Sequence, residues 1–132
     1  MSILMCPVCR QALRLVENSW RCQQGHHYDV AKQGYVNLHV VQHKHSKSPG
    51  DTPESVLARR EFLRRGYYQP LQLAVVELLQ QLSPKTILDI GCGEGYYTHA
   101  MQAIIKQCIG IDIAKTAVQR AAKLNSKVIW VV

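Results

Sequence analysis

Residues 89–95 read Asp-Ile-Gly-Cys-Gly-Glu-Gly and follow directly on the apolar run Thr86-Ile87-Leu88. Gly91, Gly93 and Gly95 alternate. A residue without Cβ leaves bare main chain against a ligand and reaches backbone angles closed to other residues. The spacing Gly-x-Gly-x-Gly differs from the Gly-x-Gly-x-x-Gly that holds a pyrophosphate on a helix N-terminus, and acids stand before it (Asp89) and within it (Glu94). Such a loop disfavours a doubly anionic pyrophosphate. It suits S-adenosylmethionine (SAM), whose sulfonium and ammonium Asp89 and Glu94 can face directly or through water.

A further acid lies at a matching distance. Residues 108–113 (Cys-Ile-Gly-Ile-Asp-Ile) read as the next strand, with Asp112 at its carboxyl end, after a helix from Tyr96 to Lys106. An acid about 20 residues past the glycine loop can take both ribose hydroxyls. The competing reading is that Asp112 caps the helix that begins near Ala114.

The N-terminus carries a second chemistry. Cys6-Pro-Val-Cys9 and, after twelve residues, Cys22-Gln-Gln-Gly-His26 form a C-x2-C and a C-x3-H pair. Each short spacing lets both members of a pair turn toward one ion, which suits tetrahedral zinc, and four protein ligands close the site to chemistry. His27 is a rival fourth ligand. A redox C-x-x-C would follow a strand and open a helix, whereas this pair precedes any element. Residues 13–21 alternate as a short hairpin with Glu17-Asn18-Ser19 at its tip, so the segment reads as a zinc ribbon whose few apolar residues need the metal.

The elements that must position these groups follow from periodicity and punctuation. Thr52 and Pro53 open a helix that runs to Gly66, and residues 71–82 form a second amphipathic helix closed by Ser83-Pro84. Then come the strand ending at the glycine loop, the helix after it, the strand to Asp112, a helix over 114–124 and a strand from Lys127. This β-α-β-α-β run predicts an α/β fold with parallel strands and right-handed crossovers. The expected organisation is a zinc-binding module at 1–38, a basic linker at 39–52 and the cofactor domain at 53–132.

The net charge is +7, with Lys32, His43, Lys44, His45 and Lys47 followed by Arg59, Arg60, Arg64 and Arg65. This excess points to a polyanion such as RNA, although the arginines can equally be the solvated face of a helix. Tyr28 and Tyr35 offer stacking surfaces for unpaired bases, but packing is the commoner use of such residues. The start of the chain lacks a basic, long apolar segment, and five cysteines without a disulfide framework fit a cytoplasmic setting with no membrane partner.

The C-x2-C...C-x3-H pairs occur together with Gly34-Tyr-Val-Asn-Leu38, Gln42-His-Lys44, Pro49-Gly-Asp51, Ala58-Arg-Arg60, Tyr68-Gln-Pro70 and the run from Leu88 to Thr98. In this combination the chain resembles the bacterial 23S rRNA (guanine-N1)-methyltransferases over its whole length. The resemblance implies a zinc ribbon joined to a Rossmann-like class I methyltransferase sheet and zinc ligands at Cys6, Cys9, Cys22 and His26. It also implies cofactor contacts at Tyr68 and around Gly93 and Glu94, and recognition of a structured rRNA hairpin by the zinc module. Arg59, Arg60, Arg64, Arg65, Lys44 and Lys47 are candidates for phosphate contacts.

Class I methyltransferases usually continue for several strands beyond the third, where this sequence stops at Val132. No residue is therefore assigned to accept the guanine N1 proton. Thr86 to Ile90 is expected to be an open apolar edge, so that a chain of this length is prone to association and inactive alone. The alternative function is a zinc-dependent RNA-binding module without catalysis.

Overall fold

The computed structural model describes residues 3–40 and 49–132. Its elements in chain order are β1 (Arg14–Val16), β2 (Ser19–Arg21), β3 (His27–Asp29), β4 (Tyr35–Val36), α1 (Pro53–Arg64), α2 (Gln69–Leu82), β5 (Thr86–Ile90), α3 (Tyr96–Gln102), β6 (Gln107–Ile111), α4 (Lys115–Leu124) and β7 (Ile129–Val131). Lys44, Lys47 and the other basic residues of the expected linker from 41 to 48 lie outside the described residues.

The expected hairpin forms. β1 and β2 pair antiparallel around the Glu17-Asn18 turn, and Glu17 takes a left-handed φ of 54° there. β3 adds a third antiparallel strand that sequence reading did not foresee. One tight turn precedes this sheet and another joins β2 to β3: the Arg10 N–H donates to the Cys6 carbonyl at 2.9 Å, and the Gly25 N–H to the Cys22 carbonyl at 3.1 Å.

The second sheet has the order β4-β7-β6-β5, with β5, β6 and β7 parallel and linked through α3 and α4. Tyr35 and Val36, near the end of the expected zinc module of residues 1–38, pair with Trp130 and Val131 at the far edge of this sheet. Side chains alternate along a strand, so each one sends neighbours to opposite faces. Cys108 and Trp130 pack with Tyr35, Val118, Ala121 and Ala122 beneath α4. Ile109, Val131 and Val36 pack on the other face against Leu4, Cys6, Leu13 and Cys22 of the zinc module. The two modules therefore share a core.

α4 covers its face because Ala117, Val118, Ala121 and Ala122 fall at helical spacing and small side chains let it approach closely. α1 starts as its sequence dictates, with the Thr52 hydroxyl accepting the Ser55 N–H and Pro53 at the first turn. Several boundaries differ from expectation. α2 begins at Gln69, because Pro70 needs no donor partner in a first turn. α3 ends at Gln102 rather than Lys106, its last carbonyls being taken by a turn through Ile104 and Ile105. β6 covers 107–111, so Asp112 stands one residue beyond it.

β5 occupies the other edge. Ile87 reaches the helix-covered core, whereas Leu88 and Ile90, on the face that the zinc module covers farther along the sheet, remain 53% and 78% exposed. α2 buries no residue fully and leaves Leu71, Leu73, Leu78 and Leu82 exposed.

Candidate functional site

The glycine loop leaves β5 at the carboxyl end of the parallel strands, where open α/β sheets bind ligands. Its main chain is fastened to the neighbouring strand: the N–H groups of Gly91 and Cys92 both donate to the Ile111 carbonyl, at 2.8 and 3.0 Å. Asp112 completes the attachment. One carboxylate oxygen accepts the Gly93 N–H and the other the Ala114 N–H, each at 2.8 Å. Asp112 thus braces the loop and steadies Ala114 just before α4, and each oxygen keeps a lone pair for a further hydrogen-bond donor.

The three glycines differ in what surrounds them. A Cβ on Gly91 or Gly93 would meet nothing within 4 Å, so bare main chain borders open space there. A Cβ on Gly95 would lie 2.6 Å from the Trp130 ring and 2.9 Å from His99 Nε2. Gly91 and Gly93 make a cradle. Gly95 instead lets α3 enter against Trp130 with φ at 81°.

The cradle opens into a cleft of about 530 Å³ between α1, α4 and the loop, within the range of roughly 300–1,000 Å³ common for small-molecule sites. Gly91, Gly93, Glu94 and Asp112 line it, together with Tyr96, Tyr97 and His99, which sequence reading did not single out. Tyr96 and Tyr97 follow the last glycine directly, and their position in the first helical turn was the available signal. A larger hollow of about 920 Å³ lies at the opposite ends of β5 and β6, around Pro84, Thr86 and Gln107, away from the glycine loop.

Other expected site residues stand differently. Asp89 accepts a hydrogen bond from the buried Thr98 hydroxyl at 2.5 Å and does not line the cleft. Tyr68 also lies off the cleft wall, its ring 5.6 Å from that of Phe62. The Glu94 carboxylate is held by Arg60 and Arg120, so the negative charge assigned to this loop is neutralised by protein cations. Arg60, expected to contact RNA phosphate, is engaged inside the cleft instead. Arg59 and Arg64 keep surface pairs with Asp51 at 3.1 Å and Glu61 at 3.5 Å. Exposed pairs of this kind are weak and yield readily to a phosphate.

Two groups near the loop are shifted toward their neutral forms. Burial, with Asp89 and Asp112 nearby, pushes the Cys92 thiol up to about 12. Burial also lowers His99 below its ordinary value, against the opposing effect of its contact with the Glu94 carbonyl at 3.1 Å.

In the zinc module, one donor atom from each of Cys6, Cys9, Cys22 and His26 lies within 4.8 Å of the others. Cys9 Sγ is 3.6 Å from Cys22 Sγ, which is 3.4 Å from His26 Nδ1. Zinc–sulfur bonds of about 2.3 Å in a tetrahedron give edges of roughly 3.7 Å, so the set fits zinc. Burial opposes ionisation of Cys6. The Tyr28 hydroxyl at 3.2 Å and the main chain of Cys9 and Val8 outweigh it and hold the thiol down at about 6. Tyr28 thus supports the cluster, and Tyr35 is buried with its hydroxyl accepting from Gln119, so both tyrosines serve packing.

Comparison with known proteins agrees with this geometry. A family model for the N-terminal zinc ribbon of RlmA matches residues 4–47, and a methyltransferase-domain model matches residues 82–128. The 23S rRNA (guanine(748)-N(1))-methyltransferase of Streptomyces fradiae is 34% identical over 130 residues, covering 94% of this chain and 45% of the relative. A Micromonospora griseorubida protein named "Putative 23S rRNA (guanine-N(1)-)-methyltransferase" is 32% identical over 146 residues, covering 94% and 48%. The chain spans about half the length of these curated relatives. None of its described helices is long and apolar enough to cross a membrane. The chain thus carries an RlmA-type zinc ribbon and a methyltransferase segment, and along its length it is similar to the N-terminal half of 23S rRNA (guanine-N1)-methyltransferases.

Proposed function

We propose that the chain supplies the SAM-holding and RNA-recognising parts of a cytoplasmic enzyme that methylates guanine N1 in a 23S rRNA hairpin. The observation that carries this reading is the cradle at Gly91 and Gly93, open to the cleft and braced by Asp112. Bound there, SAM supplies an electrophilic methyl group on its sulfonium. The chain's own part is to hold and orient it: main chain at Gly91 and Gly93 lies against the ligand, Asp112 takes the ribose, and Tyr96 and Tyr97 wall the cleft. Asp89, Glu94, Gly95 and Tyr68 support this site from behind or beside it.

On the same reading residues 1–38 form the zinc-held RNA-recognition module, with zinc on Cys6, Cys9, Cys22 and His26, residues 39–52 form the basic linker and 53–132 the cofactor domain. Arg59, Arg64 and Arg65 contact phosphates and leave the target base free to leave its stack. The exposed Leu88 and Ile90 on the edge strand β5 make the chain self-associate.

Calorimetric titration of SAM into the zinc-loaded chain tests the proposal. Uptake is expected in the parent and lost in Gly93→Arg, whose side chain fills the cradle. An inert parent chain would refute the assignment.

A further inference from the structure

Glu94 sits inside the glycine loop, yet two guanidinium groups claim its carboxylate. Arg60 of α1 forks onto it, Nε lying 2.6 Å from Oε2 while Nη2 meets Oε1, and Arg120 of α4 brings Nε to 3.2 Å from that same Oε1. The Arg60 and Glu94 side chains are only 15% and 17% exposed, so solvent and salt screen this fork far less than an open surface pair. Both helices that contribute an arginine also wall the cleft.

α1 has little else to hold it in place. Val56 is its only buried residue, and it rests on Ala117 of α4 and on Ala114 just before that helix. The ion pair is the link that ties α1 to the loop itself. Arg60 and Arg120 carry like charges toward one point, so they can stay together only while the carboxylate stands between them.

We propose that Arg60 and Arg120 are positioning residues of the cofactor site. Through Glu94 they fix the glycine loop and clamp α1 and α4 as the two walls of the cleft. The Glu94 side chain is thus a structural anchor, and only its main chain is offered to a ligand. The identity of that ligand as SAM rests on the function proposed above.

The test combines calorimetric SAM titration with amide hydrogen exchange over residues 53–64 in the ligand-free, zinc-loaded chain. It compares the parent with Arg60→Met, Arg60→Lys, Glu94→Gln and the Arg60→Met/Glu94→Gln double variant. Arg60→Met and Glu94→Gln each weaken SAM binding about tenfold and accelerate exchange in α1. Arg60→Lys recovers part of both losses, and the double variant is no weaker than the worse single one, because all act on one clamp. SAM binding that is retained or tightened in Arg60→Met while Glu94→Gln loses it would overturn the proposal, since Glu94 would then face the cofactor's ammonium. Unchanged exchange in both single variants would overturn it too. If the parent takes up no SAM but both variants still accelerate exchange, the functional assignment falls and the clamp stands.

Discussion

Gly93 and Gly95 stand two residues apart in one loop, both with positive φ, at 56° and 81°, and alanine at each should fail in a different way. The left-handed backbone costs an alanine about 1–2 kcal/mol at either position. At Gly93 nothing else is added, because a Cβ there meets open space. At Gly95 the Cβ would stand 2.6 Å from Trp130 and 2.9 Å from His99, so overpacking adds roughly 1–3 kcal/mol. Trp130 is 1% exposed in the middle of the core and has nowhere to retreat. Gly95→Ala should therefore lose about 2–5 kcal/mol, a large share of the roughly 5–15 kcal/mol typical of a domain. Urea unfolding of the zinc-loaded chain measures the difference, expected as a midpoint for Gly95→Ala on the order of 1 M below that of Gly93→Ala. SAM affinity should show the reverse order. The methyl on Gly93 enters the cradle and weakens binding by about tenfold or more, whereas folded Gly95→Ala keeps near-parent affinity. Equal stability of the two variants, or parent-like SAM binding by Gly93→Ala, would refute the division of labour assigned to these glycines.

Removing zinc with a chelator should perturb amide resonances beyond the ribbon, at Ile109, Val131 and Val36, which share a core with Cys6 and Cys22. Unmoved sheet resonances would show that the modules are uncoupled. Ile90→Lys, at a side chain 78% exposed on the edge strand, should reduce self-association in light scattering without changing the circular dichroism. His99 should titrate below its ordinary 6.5 when followed by NMR. Because the fold lowers its affinity for a proton, its contribution to stability is complete above pH 6.5 and is lost as pH falls through the depressed value. A titration at or above 6.5 would contradict the burial assigned to it.

The glycine loop and the zinc pairs were legible because their signals are local. An apolar run before alternating glycines, or two cysteines separated by a turn, fixes geometry within a few residues. The same holds for α1, whose Thr52-Pro53 start needs no distant partner. β3 and β4 were invisible for the opposite reason. Strands of three and two residues carry no period, and Tyr35 becomes a strand residue only because Trp130, far along the chain, offers its main chain. The ends of α3 and β6 shifted because their last groups are satisfied by turns whose partners lie outside the helix or strand.

Glu94 shows where charge-based reading of a site reaches its limit. Read in sequence, an acid between glycines near a cationic ligand suggests direct contact, and nothing local argues otherwise. The arginines that claim it lie on two helices, 34 residues before it and 26 after it, among many other basic residues. Only the fold brings both guanidinium groups to one carboxylate. The consequence reaches the choice of cofactor: with Glu94 neutralised, its carboxylate no longer distinguishes SAM from a phosphate-bearing ligand. That distinction passes to the alternate glycine spacing and to the methyltransferase match over residues 82–128. Selectivity at this loop is accordingly a matter of shape and main-chain approach, with the carboxylate acting on the walls around the ligand.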